Sequence, residues 1–164
     1  MAKKQIKFVK TNAMRLLETL GIDYAHYEYE CNEFVDSTHT SEALGIAPER
    51  MYKTLVTQGV PKQYYVFVIP IMAELDLKKA AAEVHEKSLS MIPTKDLTAI
   101  TGYVRGGCTA LGMKKKFPTI IDGSAQSLEK LVVSAGRLGC QIELSPCDFL
   151  RATEGKFADV IVSL

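Results

Sequence analysis

Two β-rich runs separated by a turn constrain this chain more than any other feature. Residues 51–57 (Met-Tyr-Lys-Thr-Leu-Val-Thr) and 64–69 (Tyr-Tyr-Val-Phe-Val-Ile) are dense in β-branched and aromatic side chains, which suit a pleated, packed surface better than a helix. Gly59 and Pro61 stand between them, and both residue types interrupt a strand in favour of a turn. The pattern predicts a hairpin of two core strands on which the rest of the chain must pack. With 164 residues and 47% hydrophobic content, the chain can bury such a core, and a single domain over 1–164 is expected.

The flanking segments alternate between helix and strand signals. Thr11 or Asn12 can cap a helix carrying Met14, Leu17 and Leu20 on one side, with Gly21 as its left-handed stop. Residues 22–29 alternate as a half-buried strand, Tyr27 and Tyr29 on one face and His26 and Glu28 on the other. Residues 37–45 read as a short helix closed by Gly45, and 76–85 as a helix presenting Leu77, Ala80, Ala81 and Val84. Thr94 begins another that ends near Gly102. Residues 119–122, 130–134, 141–144 and 159–162 look like short strands. Ser145, Pro146 and Asp148 form a helix start, with cap, first-turn proline and dipole-complementing acid in order. The interleaving is too irregular for βαβ units. It predicts a mixed α/β or α+β domain around one curved sheet.

Charge and cysteine usage narrow the function classes. Lys and Arg total 20 against 19 for Asp and Glu, a net charge of +1, so any contact with nucleic acid must be local. The longest apolar run, around residues 66–72, is too short and proline-marked to cross a bilayer, and no basic leader precedes an apolar stretch. An unexported, cytoplasmic protein is expected. Cys31, Cys108, Cys140 and Cys147 form no CxxC pair and read as reduced thiols rather than a metal or disulfide framework, so no metal or cofactor is expected. His26, His39 and His85 are isolated and read as surface or packing residues.

Two segments could carry chemistry. On the first strand Tyr52, Thr54 and Val56 point one way and Met51, Lys53, Leu55 and Thr57 the other. Lys53 among apolar neighbours is either an edge lysine whose stem snorkels to water or a partly desolvated ammonium facing a pocket. The second segment, 103–114, contains Gly106-Gly107 and Gly112. Adjacent glycines serve either a tight turn or a cradle of backbone amides for an oxyanion. Met113 stands where a phosphate-binding loop needs its lysine, which rejects nucleotide hydrolysis. Lys114-Lys115-Lys116 is a solvated stretch or a phosphate contact near a site entrance.

At these segments the sequence resembles the YbaK family, freestanding relatives of the editing domain inserted in bacterial prolyl-tRNA synthetases. The match lies in Lys53-Thr54-Leu55-Val56, Leu77-Lys78-Lys79-Ala80-Ala81, Gly102-Tyr103 with Gly106-Gly107, Leu111-Gly112 with Lys114-Lys115, and Val133-Ser134 with Gly136. These landmarks run in family order from Tyr29 to Asp159. Where the family loop continues Gly-Gly-x-Ser-Pro, this chain has Thr109-Ala110.

The resemblance implies a curved, partly barrel-like mixed sheet flanked by helices, and deacylation of mischarged tRNA, cysteine on proline tRNA above all. It makes Lys53 the functional lysine and places Gly106 and Gly107 beside the scissile ester. It also puts Thr54, Tyr29 and Ser134 on the pocket wall. Prolyl-tRNA synthetase is the partner it suggests. Because no protein nucleophile or general base stands out, the simplest mechanism uses the cysteinyl thiolate to attack its own ester. Water-mediated hydrolysis of alanyl-tRNA is the alternative chemistry, and a silent tRNA- or synthetase-binding module the alternative class.

Overall fold

The computed structural model describes residues 9–31, 37–60 and 62–163. The expected hairpin is its centre: β2 (Tyr52–Gln58) pairs antiparallel with β3 (Tyr64–Pro70) in the register Tyr52 to Pro70 through Gln58 to Tyr64. Gly59 N–H closes the turn on the Gln63 carbonyl at 2.7 Å, while Pro61 lies outside the described residues. On one side β4 (Ser90–Met91) pairs with β2. On the other, β5 (Thr119–Asp122) and β8 (Lys156–Ala158) add parallel to β3, giving a five-stranded sheet ordered β4-β2-β3-β5-β8.

β3 is central and buried on both faces, so its sequence is a continuous apolar run rather than an alternation. Val66 and Val68 enter a large core cluster with Tyr52 and Val56, whereas Phe67 and Ile69 enter a second cluster on the opposite face. The second cluster is closed by α3 (Leu77–Glu83), which contributes Ala80 and Ala81. Asp76 caps α3 by accepting from Lys78 and Lys79 N–H. The large cluster is closed by α1 (Asn12–Thr19) through Met14 and Leu17, and by α5 (Pro146–Thr153) through Phe149. Both helices start as the sequence dictates, Thr11 accepting from Met14 N–H and Ser145 from Asp148 N–H.

The domain is mixed α+β as expected, but its strands divide into two sheets where one curved sheet was expected. β1 (Ala25–Glu28), β7 (Cys140–Leu144) and β6 (Leu131–Ser134) pair antiparallel in the order β1-β7-β6. One bridge, Met51 to Val132, links the sheets. Leu131 and Val133 turn inward to the large cluster beside Ile142 and Leu144 of β7, so a shared core reinforces that single bridge.

The last strand also differs from expectation. It lies at Lys156–Ala158, not 159–162. The later segment pairs only through one antiparallel bridge, Ile161 to Leu75, and Val160 is fully buried in the second cluster, donating its N–H to Asp122 Oδ1 at 3.2 Å. The chain also holds α2 (Ser37–Leu44), stopped by Gly45 at φ +65°, and α4 (Leu97–Thr101), preceded by a 3-10 turn from Thr94 and stopped by Gly102 at φ +85°. Among the described residues no helix is long and apolar enough to cross a membrane.

Candidate active site

A cavity of about 510 Å³ opens where the two sheets meet, between β2 and the ends of β1 and β6. Lys53 and Thr54 of β2 line it, with Tyr29 just beyond β1, Ser134 at the end of β6 and Gly106 in the loop after α4. Five of the six residues expected at a site thus converge from four separate stretches of chain. Gly107 is the sixth. It lies behind Gly106, where its N–H donates to the Val104 carbonyl at 3.0 Å. That amide is committed to a turn and does not face the cavity.

The loop that carries Gly106 is fixed from behind. A Cβ on Gly107 would stand 2.9 Å from Arg137 Cα and 3.0 Å from its carbonyl carbon, so glycine is required for the loop to lie on the turn after β6. Tyr103 is buried and its hydroxyl donates to the Leu111 carbonyl at 2.6 Å. Gly136, at φ +103°, makes room for that ring, since a Cβ there would meet Tyr103 Cε1 at 2.8 Å. Thr109, in place of the family serine, is fully buried beneath the loop, and its Oγ1 accepts from Leu111 N–H at 3.4 Å.

Lys53 and Arg105 line the cavity, and no Asp, Glu or His does among the described residues. Desolvation lowers the Lys53 ammonium pKa below its usual value, partly offset by the Glu74 carboxylate. Of the two readings of Lys53, the partly desolvated ammonium is the one the structure shows. Arg105 escaped the sequence reading because a lone arginine beside glycines carries no periodic signal. The lysine run does not reach the cavity: Lys115 and Lys116 line a separate hollow of about 260 Å³, and Lys116 pairs with Glu154.

Two thiols, Cys31 and Cys108, lie on the cavity wall. Burial pushes the Cys108 thiol up to about 12, with Thr101 acting in the opposite direction. It is a protonated wall group at neutral pH. The wall also holds buried Thr40 of α2 and Gln141 of β7, neither anticipated from sequence. Gln141 Nε2 donates to the Tyr29 hydroxyl oxygen at 3.1 Å, and Ser134 Oγ accepts from Gly136 N–H at 3.3 Å. In β7, Gln141 and Glu143 alternate with Ile142 and Leu144. The alternation marks a polar face but is silent on whether solvent or a cavity covers it.

Comparison with known proteins places this geometry among relatives. Residues 32–152 match the model of the aminoacyl-tRNA editing domain. EbsC of Enterococcus faecalis (strain ATCC 700802 / V583), assigned as a Cys-tRNA(Pro)/Cys-tRNA(Cys) deacylase, is 46% identical over 98% of both chains. Two crystal structures share the fold. One, of a protein assigned as a trans-editing enzyme for prolyl-tRNA synthetase, aligns with a TM-score of 0.81 at 22% identity, over 95% of this chain and 100% of that one. The other, of the hypothetical protein APE2540, aligns with a TM-score of 0.85 at 19% identity, over 93% and 100%.

Proposed function

The chain belongs to the aminoacyl-tRNA editing domain family, and from that premise we propose that it is a trans-editing deacylase that removes cysteine from mischarged Cys-tRNA(Pro). The observation that carries the chemistry is the composition of the cavity wall. It holds a desolvated lysine and a glycine loop but no carboxylate or histidine among the described residues, and its Cys108 stays protonated. Such a wall places and polarises an ester, and the nucleophile comes from the substrate.

The cysteinyl thiol loses its proton to solvent, and the thiolate sulfur bonds to the carbonyl carbon of its own ester. The carbon–oxygen bond to the ribose then breaks. The tRNA hydroxyl leaves with a proton from solvent, and the amino acid departs as a cyclic thioester. Lys53 stabilises the oxyanion or the adjoining tRNA terminus, and Gly106, held at φ +84°, brings backbone close to the reacting carbonyl. Gly107 supports that position from behind.

Mischarged tRNA is the macromolecular substrate, and the cytoplasm, where tRNA is charged, is the place of action. A net charge of +1 supplies little general attraction for a polyanion, so prolyl-tRNA synthetase is the partner that presents it. Incubation of the purified protein with cysteinyl-, seryl- and alanyl-tRNA(Pro), with and without the synthetase, tests the reading. Release of cysteine far ahead of the other two is expected. Equal release of alanine indicates the positioned-water hydrolase instead, and binding without release of any amino acid indicates a silent module.

A further inference from the structure

On β7 the cavity wall offers a neutral acceptor, Gln141. An aminoacyl ester carries an α-ammonium beside its carbonyl, and in a cavity with no carboxylate among the described residues that group needs a neutral hydrogen-bond acceptor. Gln141 is 7% exposed and lines the cavity. Its Nε2 is taken up by the Tyr29 hydroxyl at 3.1 Å, which fixes the plane of the amide. No donor among the described residues reaches its Oε1, and no buried side-chain oxygen or nitrogen among them lacks a partner. The carbonyl is therefore accessible, and the open space Gln141 lines is the cavity.

We infer that Gln141 Oε1 receives the α-ammonium of the aminoacyl group, with Tyr29 as the residue that orients the amide. The substrate class rests on the deacylase reading above. Ser134 is a weaker candidate because its Oγ already accepts from Gly136 N–H. With the ammonium on β7 and the carbonyl toward Lys53 of β2, the ester spans the gap between the two sheets, which fixes one orientation of the aminoacyl end. A protein that binds the amine in this way selects free aminoacyl esters over N-acylated or peptidyl ones.

The test uses two uncleavable ligands in which an amide replaces the ester: 3′-cysteinylamino-3′-deoxyadenosine and its 3-mercaptopropionyl counterpart, which lacks the amine. Calorimetric binding to the wild-type protein should favour the amine by about ten- to a hundredfold, as for one charge-assisted hydrogen bond. Gln141→Leu should abolish that preference while binding the amine-free ligand as the wild type does. Gln141→Glu, which keeps an acceptor, should retain it, and Tyr29→Phe should narrow it. A matched thermal melt for each variant separates recognition from folding. Equal weakening of both ligands by Gln141→Leu, a preference that survives the substitution, or wild-type protein that binds neither ligand would overturn the assignment. Should the wild type show the amine preference yet fail to cleave cysteinyl-tRNA, the deacylase reading falls and the ammonium site stands.

Discussion

Gly107 is pressed against Arg137, so that a Cβ on the glycine would lie 2.9 Å from the arginine Cα, while neighbouring Gly106 faces the cavity at φ +84°. The two glycines look alike in sequence and do different work. Gly107→Ala drives backbone against backbone and should destabilise the fold by about 1–3 kcal/mol while displacing the loop. Gly106→Ala strains the left-handed backbone by about 1–2 kcal/mol, and its larger effect should fall on turnover. Parallel melts and deacylation assays check this. Gly106→Ala that keeps full activity would remove Gly106 from the site.

Lys53→Met should lower deacylation by about a hundredfold or more with little change in melting temperature, because the ammonium is held in a desolvated place where its charge contributes to the transition state rather than to packing. The decisive comparison is kcat/KM against the melting curve of the same preparation. Activity and cooperative unfolding lost together would mean that the lysine is structural.

The pH profile should have two limbs. A substrate thiol of ordinary pKa, about 8.5, becomes a better nucleophile as pH rises. Lys53, whose folded pKa lies below its usual value, loses its ammonium as pH rises through that lowered pKa. Activity therefore climbs and then falls. Glu74 is the group that holds the lysine up, so Glu74→Gln should move the falling limb to lower pH. Rates corrected for spontaneous ester hydrolysis would show it, and a falling limb left in place would mean that Lys53 is not the group titrating.

Local signals carried most of the elements. Thr11, Asp76 and Ser145 cap the helices their positions announce, and the alternating or continuous apolar runs mark the strands. What they could not carry was the partition into two sheets, because the inward faces of β6 and β2 share one apolar cluster whether or not the strands pair. Val160 and Ile161 misled in a related way: they pack in the second cluster, and their backbone pairing is a single antiparallel bridge from Ile161 to Leu75 rather than a strand of the sheet. Of the cavity wall, family landmarks pointed to Lys53 and Gly106. Arg105, Thr40 and Gln141 stayed hidden because lining the cavity depends on which surfaces face each other across it, a long-range property with no local periodicity.

Two cavity thiols make the source of the nucleophile the sharpest question. With Cys108 pushed up to about 12, only about one molecule in 10⁵ carries its thiolate at pH 7, against a few per cent for a cysteinyl thiol of ordinary pKa. Cys108→Ala should therefore retain deacylation, and so should Cys31→Ala, each releasing free tRNA at close to the wild-type rate. Seryl-tRNA should react far more slowly, since its hydroxyl is almost wholly protonated near neutrality, and alanyl-tRNA, lacking a nucleophile, should be poorer still. A folded but inactive Cys108→Ala or Cys31→Ala variant would put the nucleophile on the protein. Alanyl-tRNA cleaved as fast as cysteinyl-tRNA would instead require a positioned water, and Lys53 and the Gly106 loop would then be reassigned to holding that water against the ester.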